Sequence, residues 1–280
     1  VPLALVTGAS TGIGRATALR LAGAGWRVLA GVRDPAAGQE LAGLAPAETV
    51  VPLELDVTAP EQIAAAAARV ELEAPAPGGL DALVNNAGIG VGGPLELISE
   101  EDLRRQFDVN VFGQVAVTRA LLPALRRARG RIVFISSIGG LVALPYTAPY
   151  GASKHAIEAF GDALRVELRG SGVQVALVEP GSVATPIWDK GRAEAEQVVI
   201  PPELQEQYGH VPAALGKTLE DTARRGVPPE QVAETIARAL RAPRMRARYL
   251  VGRDARAMLT AKRLLPDRLF DELARRALGV

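Results

Sequence analysis

Apolar residues along the chain fall into short dense runs, separated by longer stretches in which they recur every three or four positions. Seven runs predict strands: Leu3–Thr7, Arg27–Val32, Val50–Leu55, Asp81–Val84, Arg131–Ser136, Val173–Val178 and Arg248–Val251. Most are continuously apolar and rich in Val, Leu and Ile rather than alternating with polar residues. Strands of that kind are buried on both faces, which points to a parallel sheet covered by helices. The intervening segments supply those helices. Ile13, Ala16, Thr17 and Leu21 recur at helical spacing, and Gly23 and Gly25 mark the end of that helix. Thr58 ahead of Pro60-Glu61 predicts another helix start, and longer helices are expected over about Ser99 to Ala128 and Pro149 to Arg169. Repeated strand–helix–strand units predict a doubly wound α/β fold with right-handed crossovers and a mostly parallel, seven-stranded sheet.

The pattern is interrupted twice. Pro75-Ala76-Pro77-Gly78-Gly79 predicts a loop before the fourth strand. Residues 187 to about 228 mix short helical pieces with Pro201-Pro202, Gly209 and Pro228-Pro229, and predict a substrate lid rather than a linker. A C-terminal extension covers about 253–280. The 280 residues suffice for one large core, so a single domain over 1–280 is expected.

Composition removes several function classes. Hydrophobic residues make up 48% and charged residues 22%, ordinary values for a soluble globular protein. A net charge of +1 provides no basic field for nucleic acid. The absence of cysteine excludes disulfides, thiolate metal sites and cysteine nucleophiles. His155 and His210 are the two histidines, too few for a histidine-rich metal site, so no metal is expected. The opening apolar run is too short for a signal peptide or a membrane span, and a cytoplasmic location is the expectation.

Chemistry gathers at strand ends. Thr7-Gly8-Ala9-Ser10-Thr11-Gly12-Ile13-Gly14 follows the first strand and opens the first helix. Such a turn lets a pyrophosphate approach the main chain and meet the helix N-terminus, as in Rossmann-type folds. Its Gly-x-x-x-Gly-x-Gly spacing resembles the short-chain dehydrogenase/reductase family, and further matches follow in order. Asp56-Val57 comes after the third strand and Asn85-Asn86-Ala87-Gly88 after the fourth. Asn110 lies in the long helix, Ser137 follows the fifth strand, and Tyr150-x-x-x-Lys154 opens the next helix. Pro180-Gly181, Val183 and Thr185 follow the sixth strand. The resemblance covers about residues 3 to 186. It implies a nicotinamide cofactor held by Gly8, Ser10, Thr11, Gly12, Ile13, Gly14, Asp56, Val57, Asn86, Ala87, Gly88, Asn110, Tyr150, Lys154, Pro180, Gly181, Val183 and Thr185.

The end of the second strand bears on which nicotinamide is used. An acidic residue there accepts from the ribose hydroxyls of NAD and repels a 2′-phosphate. This chain has Val32 followed by Arg33, whose guanidinium can pair with phosphate, so NADP(H) is favoured over NAD(H). Arg33 could also be a solvated surface residue neutralised by Asp34.

Tyr150 and Lys154, four residues apart on a helix, share one face. Carbonyl reduction creates an oxyanion that needs a proton, and tyrosine can supply it. Bringing its pKa from about 10 towards neutrality requires roughly 4 kcal/mol, which a nearby ammonium and the oxidised nicotinamide can provide. The family resemblance further implies that Lys154 bonds the nicotinamide ribose, that Ser137 holds the substrate oxygen, and that Asn110 anchors a water linking Lys154 to solvent. Asparagine is a poor helix-interior residue, consistent with a role beyond folding. Tyr146 is a nearby alternative phenol without the lysine, Ser136 reads as a strand-end neighbour, and His155 as a packing or hydrogen-bonding residue.

Leu141, Val142, Ala143 and Leu144, then Ile187 and Trp188, then Val198–Ile200 would flank the nicotinamide. They suit a lipophilic alcohol, ketone or aldehyde, or simply pack the lid down. The run Arg248-Tyr249-Leu250-Val251-Gly252-Arg253-Asp254-Ala255 is loosely similar to hydroxysteroid- and retinol-dehydrogenase-like members. The segment Leu264 to Leu278 could lie on a membrane surface, or pack on its own fold or a partner. The resemblance implies a homodimer or homotetramer joined through the helices at 99–128 and 149–169. Rivals stay open: a catalytically silent nucleotide sensor, an NAD-preferring dehydrogenase, and a sugar-nucleotide epimerase or dehydratase, whose relatives are usually longer and lack the Asn-Asn-Ala-Gly run.

Overall fold

The computed structural model describes residues 1–74, 78–185 and 200–278. Its parallel sheet contains β1 (Leu3–Thr7), β2 (Arg27–Val32), β3 (Val50–Glu54), β4 (Ala82–Asn85), β5 (Arg131–Ile135), β6 (Gln174–Pro180) and β7 (Arg248–Val251). Among the described residues the strand order is β3-β2-β1-β4-β5-β6-β7. Strand limits differ by a few residues at most from those expected, within the ordinary fraying of element ends.

The inner strands are dry on both faces, as the continuous apolar runs require, while the edge strands β3 and β7 are only partly buried. Ala4 and Val6 of β1 face one way, with Ala82 and Val84 of β4 and Ala176 and Val178 of β6. They pack under α1 (Gly12–Ala22), α2 (Pro35–Gly43) and α8 (Pro229–Arg241). Leu3 and Leu5 face the other way with Leu83, Phe134 and Leu177, under α3 (Pro60–Glu73), α5 (Gln114–Ala128) and α6 (Ala148–Glu167). The strand residues on one face are mostly Ala and Val and on the other mostly Leu, Ile and Phe, and burying each large side chain contributes about 1.5–3 kcal/mol.

Helix starts follow local chemistry. Asp34 caps α2 by accepting from the Ala36 N–H at 2.9 Å, with Pro35 in the first turn. Thr58 is not the start of α3. Its N–H and hydroxyl donate to Asp56 Oδ1 at 2.8 and 2.7 Å, and the helix begins at Pro60 after Ala59. The single helix expected over 99–128 is also divided: α4 (Glu100–Phe107) and α5 are joined by a π-helical turn at Asp108–Gly113. Gly113 presses on the end of β3, where a Cβ would lie 2.8 Å from the Val57 carbonyl oxygen. Wide turns of this kind recur at functional sites.

After β6 the chain carries a short helical turn at Gln205–Tyr208, then α7 (Val211–Arg225) and α8. Residues 187–199 of the expected lid and Pro75–Pro77 of the expected loop lie outside the described residues. Beyond β7, α9 (Arg253–Leu264) and α10 (Asp267–Leu278) fold back onto the chain. Phe270, Ala274 and Ala255 bury against Ile138 and Val142, while Leu264, Leu269 and Leu273 stay exposed. Among the described residues no helix is long and apolar enough to cross a membrane, and no cluster of His, Cys, Asp or Glu could hold a metal ion.

The strand order reverses direction between β1 and β4. In an open parallel sheet, that reversal leaves a crevice at the carboxyl ends of the strands, where ligands bind.

Candidate active site

β1 delivers the chain into a tight turn before α1. Gly12 adopts φ +54°, in the left-handed region that favours glycine. A Cβ on Gly14 would sit 2.2 Å from the Gly8 carbonyl oxygen, so any side chain there would push the helix off the turn. Asn86 braces the turn from β4, its Nδ2 donating to the carbonyls of Thr7 at 2.8 Å and Gly8 at 3.0 Å. Thr7 Oγ1 answers by accepting from the N–H groups of Asn86 (3.0 Å) and Ala87 (2.9 Å). The two strand ends at the switch point are thereby latched together. No side chain caps α1, and its first turn holds no acidic residue, so nothing competes for the positive end of its dipole.

The cleft extends from this turn to the ends of β2 and β3. Arg33 stands exposed on its wall, and among the described residues it forms no salt bridge. Asp34 does not neutralise it, because that carboxylate is engaged at the N-terminus of α2. Asp56 is drawn two ways: burial raises its pKa, but the Thr58 hydrogen bonds and the charge of Arg33 prevail and hold it below the usual carboxylate range. Val57 and Arg105, the latter from α4, complete this end.

At the other end lie Ser137, Tyr150 and Lys154. Ser137 follows β5, and its hydroxyl accepts from the Gly139 N–H at 3.0 Å. Tyr150 and Lys154 project from one face of α6, with Lys154 Nζ 5.7 Å from the centre of the tyrosine ring. The ammonium is almost fully buried and donates to the Ile135 carbonyl at 2.9 Å. Burial lowers its pKa to about 8, and the Glu158 carboxylate, one turn along α6, opposes that shift. Tyr150 is only partly exposed, and burial pushes its phenol above the ordinary value while a hydrogen bond with Ser137 pulls it back. Without a nucleotide the phenol is therefore held as an acid. The lowering expected from the ammonium together with the oxidised nicotinamide does not arise in the chain alone, where burial dominates.

Most of the expected residues meet in this one cleft: Gly8, Ser10, Thr11, Gly12, Ile13, Arg33, Asp56, Val57, Asn86, Ala87, Gly88, Ser137, Tyr150, Lys154, Pro180, Gly181, Val183 and Thr185. Gly14 and Asn110 do not line it. Gly14 supports the turn from behind. Asn110 is fully buried, accepting from the Ile89 N–H (2.8 Å) and donating to the Ile89 carbonyl (3.0 Å) and Ser153 Oγ (3.1 Å). Its side chain is thus committed to holding the segment that follows Gly88.

Two buried residues that sequence reasoning missed share this task. Gln106 bonds the Val91 N–H (2.6 Å) and the Ile89 carbonyl (2.9 Å), and Gln114 donates to the Ala87 carbonyl at 2.8 Å. The available signal was Gln106, Asn110 and Gln114 at four-residue intervals in an otherwise core-facing position. Tyr146 adopts a left-handed φ of +60°, its carbonyl accepts from the Gly93 N–H, and it is not among the cleft-lining residues. His155 Nδ1 meets the Gly151 carbonyl at 2.9 Å. Of the expected apolar flank, Val142 is buried beneath α9 and α10, Leu141 and Leu144 pack against the same cluster, and Ala143 is exposed. Ile187, Trp188 and Val198–Val199 lie outside the described residues, and Ile200 is buried.

With this geometry in hand, comparison with known proteins identifies the family. Residues 2–196 match the family model for short chain dehydrogenase. The chain belongs to the short-chain dehydrogenase family. This short-chain dehydrogenase is thus an oxidoreductase of the class acting on CH–OH and C=O groups. It is 35% identical over 275 residues to an NADPH-dependent 3-dehydrocapnine reductase of Ornithobacterium rhinotracheale, covering 96% of this chain and 95% of that one. It is 36% identical over 277 residues to retinol dehydrogenase 5 of Mus musculus, covering 95% and 85% respectively. Among solved structures, it resembles a short chain dehydrogenase from Burkholderia cenocepacia in complex with NADP, with TM-score 0.72, 28% identity and coverage of 100% and 98%. A Burkholderia phymatum short chain dehydrogenase/reductase in complex with NAD gives TM-score 0.79, 29% identity and coverage of 94% and 92%.

Proposed function

We propose that this enzyme interconverts a carbonyl and an alcohol on a small lipophilic substrate with NADP(H), Tyr150 acting as the general acid or base. One observation carries the reading: Ser137, Tyr150 and Lys154 share a cleft with an uncapped helix N-terminus behind a glycine turn. The residues fit a dinucleotide. The α1 N-terminus and its glycines suit a pyrophosphate, exposed Arg33 suits a 2′-phosphate, and Lys154 suits a ribose hydroxyl. Bound nicotinamide would supply or accept the hydride.

The protein's own groups do the rest. In reduction, Ser137 holds the substrate oxygen by a hydrogen bond, and Tyr150 donates its phenolic proton to that oxygen as the carbonyl carbon gains hydride. Lys154 steadies the phenolate left behind, and the phenolate then takes a proton from solvent. Oxidation runs the same transfers in reverse. The phenol's protonated state in the free chain suits the reducing direction. An NADPH-dependent reductase and a retinol dehydrogenase among the relatives favour NADP(H) and a lipophilic substrate, although an NAD-bound structural neighbour keeps NAD(H) as a second reading. Exposed Phe112 and Phe160, on the turn before α5 and on α6, support a homo-oligomer joined through these helices.

The test is loss of NADPH absorbance against a panel of aldehydes, ketones, quinones and steroids, repeated with NADH. The reading expects turnover of lipophilic carbonyls with NADPH preferred; no turnover of any panel member with either nucleotide would contradict it.

A further inference from the structure

The run Arg248–Ala255 has no part in the mechanism above, yet the structure brings it against the loop after β6 that lines the cleft. β7 lies beside the end of β6, with Val251 in register with Pro180, and the Gly181 N–H donates to the Val251 carbonyl at 2.8 Å. The chain then turns at Gly252 (φ +108°) into α9. Asp254, in the first turn of that helix, reaches back across the joint. Its Oδ2 accepts from the Ser182 N–H at 2.7 Å. Its carboxylate fills the space a side chain at Gly181 would need, since a Cβ there would lie 2.5 Å from both oxygens. A Cβ at Gly252 would lie 2.4 Å from Oδ1. Asp254 is therefore seated between two glycines and a main-chain N–H, where its charge also complements the positive end of α9.

What it grips is the cofactor loop. Pro180, Gly181, Val183 and Thr185 line the cleft, and because β6 neighbours β5 they do so on the side of Ser137. The far side of the loop is tied by the Val227 N–H to the Ser182 carbonyl at 2.9 Å and by the Ala184 N–H to the Val227 carbonyl at 3.0 Å. On its other flank α9 buries Ala255 against Ile138 and Val142, which follow Ser137.

We infer that Asp254 is a positioning residue: its carboxylate sets the Gly181–Val183 backbone against the nicotinamide half of the cofactor, and so joins the C-terminal helices to that half of the site. The inference rests on the dinucleotide reading above. It is tested with two probes, NADPH and adenosine 2′,5′-bisphosphate, which carries the Arg33 end but no nicotinamide. In Asp254→Ala, loss of a charge-assisted hydrogen bond raises the NADPH dissociation constant about ten-fold, while binding of the bisphosphate changes by less than about two-fold. Asp254→Asn retains an acceptor oxygen and recovers most of the NADPH affinity. Gly181→Ala reproduces the split from the other side of the contact. Adding Asp254→Ala to it regains part of the loss, because the atoms that the new methyl strikes are gone.

Should Asp254→Ala fail to fold, Gly181→Ala with the two probes remains decisive. Equal weakening of both probes, or unchanged NADPH affinity, overturns the inference. A wild-type enzyme that binds the bisphosphate but not NADPH, or neither, strikes the dinucleotide reading itself.

Discussion

At the β1–α1 end of the cleft the chain offers main-chain N–H groups, a helix dipole and the exposed guanidinium groups of Arg33 and Arg105. At the β5–α6 end it offers side chains withdrawn from water: an ammonium that is 4% exposed and a phenol raised by burial. The first end can hold an anion without altering any protonation state. Its side-chain charges, Arg33, Arg105 and Asp56, work near solvent in high dielectric and are weakened by salt. The second end places groups where the loss or gain of one charge changes the energy of its neighbour by far more. Binding and chemistry are thus separated along one crevice, and each end should fail in its own way when altered.

The sharpest break is Tyr150→Phe. Removing a general acid lowers turnover by roughly 10²–10⁴-fold, while the NADPH dissociation constant is little changed because the glycine turn, Lys154 and the Gly181–Val183 backbone keep their places. The pH profile of the wild-type enzyme belongs to the same end. Lys154 is a cation below about pH 8 and loses its proton as the pH rises through that value. The account expects kcat/KM to fall across that range, in advance of any loss due to the phenol, and stopped-flow rates over pH 6–10 will show it. A basic limb beginning only near the ordinary lysine value would contradict the buried setting of that ammonium.

Arg33→Asp probes the opposite end with a smaller effect. KM for NADPH rises roughly ten- to a hundred-fold, KM for NADH stays level or falls, and kcat with either saturating nucleotide is little changed. Raising the ionic strength should weaken NADPH binding in the wild type more than in the variant. A parallel fall in kcat would mean that the two ends are not separable as described.

How legible these ends were in the sequence differs for physical reasons. The sheet was legible because strands buried on both faces leave unbroken apolar runs, and the Tyr150–Lys154 pair because four-residue spacing on a helix guarantees a shared face. The π-helical turn at Asp108–Gly113 was hidden, since widening a helix by one residue leaves no periodic mark in a segment that remains helical on both sides. Asn110 stood out as a polar residue in a helix interior, but its bonds to Ile89 and Ser153 depend on which loop the fold lays over it. Arg105 reaches the cleft, and Asp254 the loop that lines it, only through tertiary packing, from helices that carry no local motif for it. Val142 shows the converse: an apolar run beside Ser137 reads as substrate wall, whereas α10, more than a hundred residues later, provides its cover.

The most direct test is a crystal structure of the enzyme with NADP⁺ bound. The account predicts the pyrophosphate at the N-terminus of α1, the 2′-phosphate on Arg33, and the nicotinamide between the Gly181–Val183 backbone and the Tyr150 phenol. A nicotinamide lying outside the space shared by Ser137, Tyr150 and Lys154, or a Tyr150 ring turned away from it, would contradict the account.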